Sequence, residues 1–103
     1  MLSAVLAIER YTEGMTFEQF LNDAKTIDAV VHRILIIGEA ARYIPGEIAS
    51  LAPDIEWQEI RGMRNIIVHE YFGVSERIVW DTIHEVLPGI VEPLRLLLDA
   101  ADG

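Results

Sequence analysis

Between Ile27 and Tyr43 the residues Ile27, Val30, Val31, Ile34, Ile37 and Ala41 recur with a period of about 3.6, and Leu35, Ile36 and Ala40 widen the stripe until most of the circumference is apolar. A helix this apolar cannot lie on a surface with one wet face. It has to be the central helix of its fold, covered from several sides by other elements. The rest of the chain offers helices for that purpose. A first helix is expected over about residues 2–12, with Gly14 placed to end it in a left-handed cap. Thr16-Phe17-Glu18-Gln19 has capping-box spacing and opens a short helix to about Asp23. Thr26 reads as the start signal of the central helix, and Pro45-Gly46 as its stop. A short turn of helix is expected at 47–51, then a helix from about Glu56 to Phe72 ended by Gly73. Ser75 caps a last stretch that Pro88-Gly89 divides into 76–86 and 89–100. Period-two alternation is weak, and only Ile66-Ile67-Val68 leans toward a strand. The chain reads as all-α.

A chain of 103 residues, 51% of them hydrophobic, suits one domain over 1–103 and can bury a core without covalent staples. With no cysteine, disulfides and thiolate metal clusters are excluded, which fits a reducing cytoplasm. The N-terminal residues carry no basic stretch ahead of their apolar run and are charged by Glu9, so neither a signal peptide nor a membrane span is expected, and the protein is read as cytoplasmic. Seventeen acidic against eight basic residues give a net charge of -9. That balance opposes non-specific nucleic-acid binding, whose affinity rests on cations meeting phosphates. A local patch of Arg61, Arg64 and His69 still leaves room for RNA, because the field of a cleft can differ in sign from the net charge. An acidic protein is equally suited to a basic protein partner. The mean hydropathy of +0.27 is high for a small monomer and suits a homo-oligomer that hides apolar surface.

Chemistry concentrates in Arg64-Asn65-Ile66-Ile67-Val68-His69-Glu70-Tyr71. An arginine keeps its proton at physiological pH and a histidine exchanges one near neutrality, so the two together can stabilise and protonate a reacting phosphate. At about 100° per residue, Met63, Ile67 and Tyr71 join Ile60 in an apolar seam with Arg64 beside it, while Gly62, Asn65 and His69 share the opposite face. Arg64 and His69 are thus about 140° apart on a straight helix and do not converge on one small ligand. Either the helix ends or bends near His69, or a second copy brings its own Arg64 or His69 across a symmetric interface. Gly62 leans toward the second arrangement, since a missing side chain permits close approach of another backbone.

At these residues the chain resembles the HEPN superfamily, and within it the HepT-like toxins of type VII HepT/MntA toxin–antitoxin modules, marked by R-x4-H-x-Y. Arg64, His69 and Tyr71 match that motif. The likeness continues through Thr26-Ile27-Asp28-Ala29-Val30, Ile36-Ile37-Gly38-Glu39-Ala40-Ala41, Trp57, Gly62-Met63-Arg64-Asn65, Tyr71-Phe72-Gly73-Val74, Val79-Trp80 and Leu87-Pro88, and so covers nearly the whole chain. It departs at the start, where the first turn or more of the family's first helix is missing. The resemblance implies an antiparallel bundle of about four to five helices, homodimeric, with both motifs at the interface. It implies a metal-independent ribonuclease acting on tRNA or mRNA without a cofactor, with Arg64 and His69 catalytic and Asn65 assisting. It also implies a minimal nucleotidyltransferase partner, MntA-like, that neutralises the toxin by transferring AMP to Tyr71. A bulky anion there would fill the site and reverse its charge.

Each candidate has a plainer reading. Arg64 can be an ion-pair partner of Glu39 or Asp28, His69 a surface or packing histidine, and Tyr71 the end of the apolar seam. Glu39 interrupts the most apolar helix and reads as a paired, buried carboxylate, structural in role before it is catalytic; with Arg61 it is a candidate supporting residue. Trp57, Trp80, Phe17 and Phe20 read as core anchors, and His32 and His84 lack companions at zinc spacing, so no metal is expected. The alternative function is that of a non-catalytic dimeric partner and AMPylation substrate regulating its nucleotidyltransferase, which the charge of -9 suits best.

Overall fold

The structure, a computed structural model, describes residues 1–69 and 76–102, with the side chains of 66–69 and 100–102 outside the description. Among the described residues it is an all-α bundle: α1 (Leu2–Thr12), α2 (Phe17–Leu21), α3 (Ala24–Arg42), α4 (Gly46–Ala49), α5 (Trp57–His69), α6 (Glu76–Asp81), a π-helical turn (Thr82–Val86) and α7 (Pro88–Asp102). Four of these, α1, α3, α5 and α7, exceed ten residues and carry the bundle; the others are one or two turns long. The central helix of the sequence reading is α3, which packs against both α1 and α5 and also meets α2.

The start of α3 differs from expectation. Asp23, not Thr26, is its N-cap: the Asp23 carboxylate accepts from the backbone N–H of Thr26 at 3.1 Å, so Thr26 lies in the first turn. Both residue types cap well, and the one whose oxygen faces a free N–H three residues ahead takes the role. The backbone and side-chain hydrogen bonds of Thr26 hold the Asp23 carboxyl below the usual carboxylate range. A carboxyl lowered in this way stabilises the helix start at neutral pH and loses that effect as pH falls through its lowered value. At α2 the expected capping box is present, with Thr16 and Gln19 each bonding the other's backbone N–H. Gly14 adopts φ 72, the left-handed conformation anticipated after α1. The stretch 76–86 is not one regular helix: after α6 it widens into the π turn, where Leu87 N–H donates to the Thr82 carbonyl at 3.1 Å. One wide turn keeps Val79, Ile83 and Leu87, spaced by four, on the buried side instead of drifting round the helix.

The core is built from Val5 and Ile8 of α1, Phe20 of α2, Val30, Ile34, Ile37 and Ala41 of α3, Ile60 of α5 and Leu87 beside α7, all essentially inaccessible to water. Burying each large one contributes about 1.5–3 kcal/mol. Phe20 lies at the centre as expected; Phe17 and Trp80 meet edge to face at 5.9 Å nearer the surface. The shortest extent of the molecule, 18 Å, accommodates about two helix layers, so α3 keeps an outer face. Ile36 on that face is 37% exposed and Tyr43, just past the helix end, is 74% exposed. No described helix is long and apolar enough to cross a membrane.

Candidate functional site

Helix α5 carries the first part of the motif, and three side chains set where it lies. The Trp57 indole N–H is shared between the carbonyls of Ala49 and Ala52, at 3.0 and 3.1 Å, which ties the start of α5 to the end of α4 and the loop after it. Ile60 seats the helix in the core. Arg61 Nε donates to the Ala41 carbonyl at 3.0 Å, satisfying one of the last-turn acceptors of α3 that has no partner within its own helix. The sequence reading placed Arg61 as a supporting residue in a basic patch; here its guanidinium fastens α5 to α3.

One turn on, α5 lies close against α3 where Gly38 leaves a gap. A Cβ added at Gly38 would stand 2.6 Å from Arg64 Cβ, 3.2 Å from Arg64 N and 3.3 Å from the Ile60 carbonyl oxygen. Only glycine admits the two helices at this spacing. Gly62, the position expected to allow close approach, has open space at its Cβ in the single chain. The signal for Gly38 was present in Ile36-Ile37-Gly38-Glu39, but nothing local distinguishes a contact glycine from a tolerated one.

The side chain of Arg64 runs from that contact to the surface. Its Nε stands 3.0 Å from Glu39 Oε2 in an ion pair, and Nη1 donates to Asn65 Oδ1 at 3.4 Å. Arg42, a residue the sequence reading did not single out, reaches the same Glu39 oxygen at 3.4 Å. Its place one turn after Glu39 was the available clue. Two guanidiniums on one carboxylate leave a local surplus of positive charge on a chain of net charge -9. The expectation that Glu39 is buried is corrected: its side chain is 42% exposed, because α3 turns it toward the outer face beside Ile36. The expected pairing with Arg64 is formed. Such a half-exposed pair contributes at most about 1 kcal/mol to stability, so its consequence is geometric.

His69 is the last residue of α5 in the described chain, five residues and therefore about 140° and 7.5 Å beyond Arg64 on the same helix. Helix α5 runs through His69 without bringing it under Arg64. Tyr71, Gly73 and Ser75 lie outside the described residues. Elsewhere, His84 stacks on Trp80 with ring centroids 4.2 Å apart and sets Nδ1 2.9 Å from the Trp80 carbonyl, and His32 is exposed. Among the described residues no three His, Asp or Glu side chains gather as a metal site would need.

Comparison with known proteins adds the following. Residues 1–97 match the family described as ribonuclease HepT-like. A protein of Thermococcus cleftensis named as a probable ribonuclease HepT is 42% identical over 87 residues, 84% of this chain and 79% of its own. One from Caldanaerobacter subterraneus, provisionally named an RNase, is 40% identical over 88% of this chain and 80% of its own. A third, from Methanocaldococcus jannaschii and named in the same provisional way, is 30% identical over 90% of this chain and 77% of its own. No solved structure matches the chain.

Proposed function

The chain belongs to the HepT-like ribonuclease family, and from that premise we propose that it is a metal-independent endoribonuclease whose site is assembled from two copies of the motif helix. The observation that carries this reading is the placed guanidinium: Glu39 pairs with Arg64 on its Nε side, while its Nη pair, apart from the bond of Nη1 to Asn65, faces no other described partner. A planar guanidinium in that state is suited to take two oxygens of a phosphate at once. In the proposed reaction the 2'-hydroxyl oxygen of RNA bonds to phosphorus as the bond from phosphorus to the 5'-oxygen breaks. The hydroxyl proton goes to a base and the leaving 5'-oxygen receives one from an acid, giving a 2',3'-cyclic phosphate and a 5'-hydroxyl. Arg64 steadies the charge growing on the phosphate oxygens, and Asn65 helps to orient them. His69 carries the proton exchange, and a dimer supplies two copies of it, one to accept and one to donate.

The composite arrangement follows from the angle between Arg64 and His69, which one helix does not close. Ile36, Glu39 and Ala40 of α3 and Tyr43, its C-cap, fall within about 100° of one another, so the exposed apolar residues Ile36 and Tyr43 flank the Glu39–Arg64 pair. A second copy seated on that face would cover them and bring its own motif helix to the first. Ile36→Glu, a charge on that face, is expected to turn a dimeric parent into a monomer in light scattering and to abolish cleavage with it. A parent that stays monomeric at all concentrations tested would remove the composite site.

The reading is tested by incubating purified protein with labelled tRNA and mRNA in excess EDTA, beside folded Arg64→Ala and His69→Ala proteins. Cleavage by the parent alone, ending in cyclic phosphate, is the expected result, and equal cleavage by the variants would overturn it. We further propose that a minimal nucleotidyltransferase encoded as the antitoxin of the module silences the site by adding AMP to Tyr71. Intact-mass measurement after incubation with that transferase and ATP is expected to show AMP-sized additions that vanish in Tyr71→Phe; addition at another residue would defeat the assignment. A parent that accepts AMP yet cleaves no RNA would favour the second reading, a non-catalytic partner of the transferase, to which the charge of -9 lends its support.

A further inference from the structure

We propose that Glu39 is the positioning residue of the site: resting on the ribonuclease reading above, it sets the orientation of the Arg64 guanidinium for phosphate at the expense of RNA affinity. Three observations combine. Gly38 pins the backbone of Arg64, since the two helices touch there at a distance that leaves no room for a Cβ. The next residue, Glu39, then meets Arg64 at Nε and not at the Nη pair, 3.0 Å from its Oε2. Arg42 holds the same oxygen from one turn further along α3, at 3.4 Å, which limits the swing of the carboxylate.

A guanidinium presents its five N–H groups in a plane, and a phosphate is gripped in two-point fashion only by two of them lying on one edge. With Glu39 standing against the Nε side and Asn65 beside Nη1, the outer Nη edge is the one left for substrate. With Glu39 gone, the side chain of a residue 32% exposed regains rotation, and the productive edge has to be found anew in each encounter. Glu39 also places a negative charge 3.0 Å from the cation that RNA must approach. It therefore opposes binding of the anion while improving the geometry of the reacting complex. A residue that merely held the fold together would not separate these two effects.

The separation is what an experiment reads. In steady-state cleavage of a labelled RNA by the full-length protein, Glu39→Ala is expected to lower kcat by about tenfold and to lower KM as well. Glu39→Gln keeps a polar oxygen against the Nε side but no charge, so it is expected to recover most of kcat while retaining the lowered KM. In an Arg64→Lys background, where there is no Nε to hold, Glu39→Ala is expected to cost nothing further in kcat. A parent that cleaves while Glu39→Ala keeps its kcat within about twofold overturns the positioning role alone. So does a kcat loss that stays undiminished in the Arg64→Lys background, which assigns Glu39 to general structure. A parent that cleaves no RNA at all removes the ribonuclease reading and this inference together.

Discussion

Arg64→Ala is expected to lower RNA cleavage by about a hundred- to a thousandfold, the usual cost of removing one donor aimed at charge that develops in the transition state. His69→Ala is expected to cost about the same or up to ten times more, because proton exchange and charge stabilisation are both lost to the leaving oxygen. The change at Arg64 should not disturb the fold much. Arg64 is partly exposed and its ion pair is worth at most about 1 kcal/mol, while the burial of Ile60 and the indole of Trp57 keeps α5 in place without it. The effect should therefore appear in kcat, with circular dichroism and the unfolding midpoint nearly unchanged. If Arg64→Lys retained parental kcat, simple positive charge would suffice, and the two-point grip on phosphate would be wrong.

Gly38→Ala separates packing from propensity. For a glycine that is only tolerated within a helix, alanine should stabilise the protein by about 1 kcal/mol. Here the new methyl would stand 2.6 Å from Arg64 Cβ and 3.2 Å from Arg64 N, atoms that move only if α5 moves. Overpacking of this kind costs about 1–3 kcal/mol, or more where backbone must yield, and this outweighs the gain in propensity. The expected result is a fall in Tm of several degrees, at roughly 4–8 °C per kcal/mol for a domain of this size, together with a loss of RNA cleavage as Arg64 is displaced from Glu39. A rise in Tm would show that the contact between α3 and α5 is looser than described.

The elements were largely legible before the fold was known. Local rules act on neighbours in sequence, and so the capping box at Thr16, the left-handed Gly14 and the apolar period of α3 could be read from the chain directly. Where two residues satisfied the same rule, local reading chose wrongly: Asp23 and Thr26 both cap well, and the choice depended on which oxygen met a free N–H. Glu39 failed for another reason. An acidic residue in an apolar helix is buried if that helix is covered all round, but a bundle two layers thick leaves one side of α3 open. Gly38 and Arg42 went unnoticed because their roles exist only through partners about 22–26 residues away or on a shared carboxylate.

By itself the sequence determined that the chain is helical and that α3 is its centre, and it put forward Arg64, Asn65, His69 and Tyr71 as the candidates for its chemistry; the match to the HepT-like ribonuclease family over residues 1–97 agrees with the family the chain resembles. Periodicity and residue type are properties of the chain alone, so they survive without coordinates. Only the tertiary structure decided that Gly38 sets the approach of α5, that Arg61 is spent on the end of α3, and that Glu39 with Arg42 holds the guanidinium of Arg64. Those are contacts between helices, and their geometry depends on how the whole bundle packs.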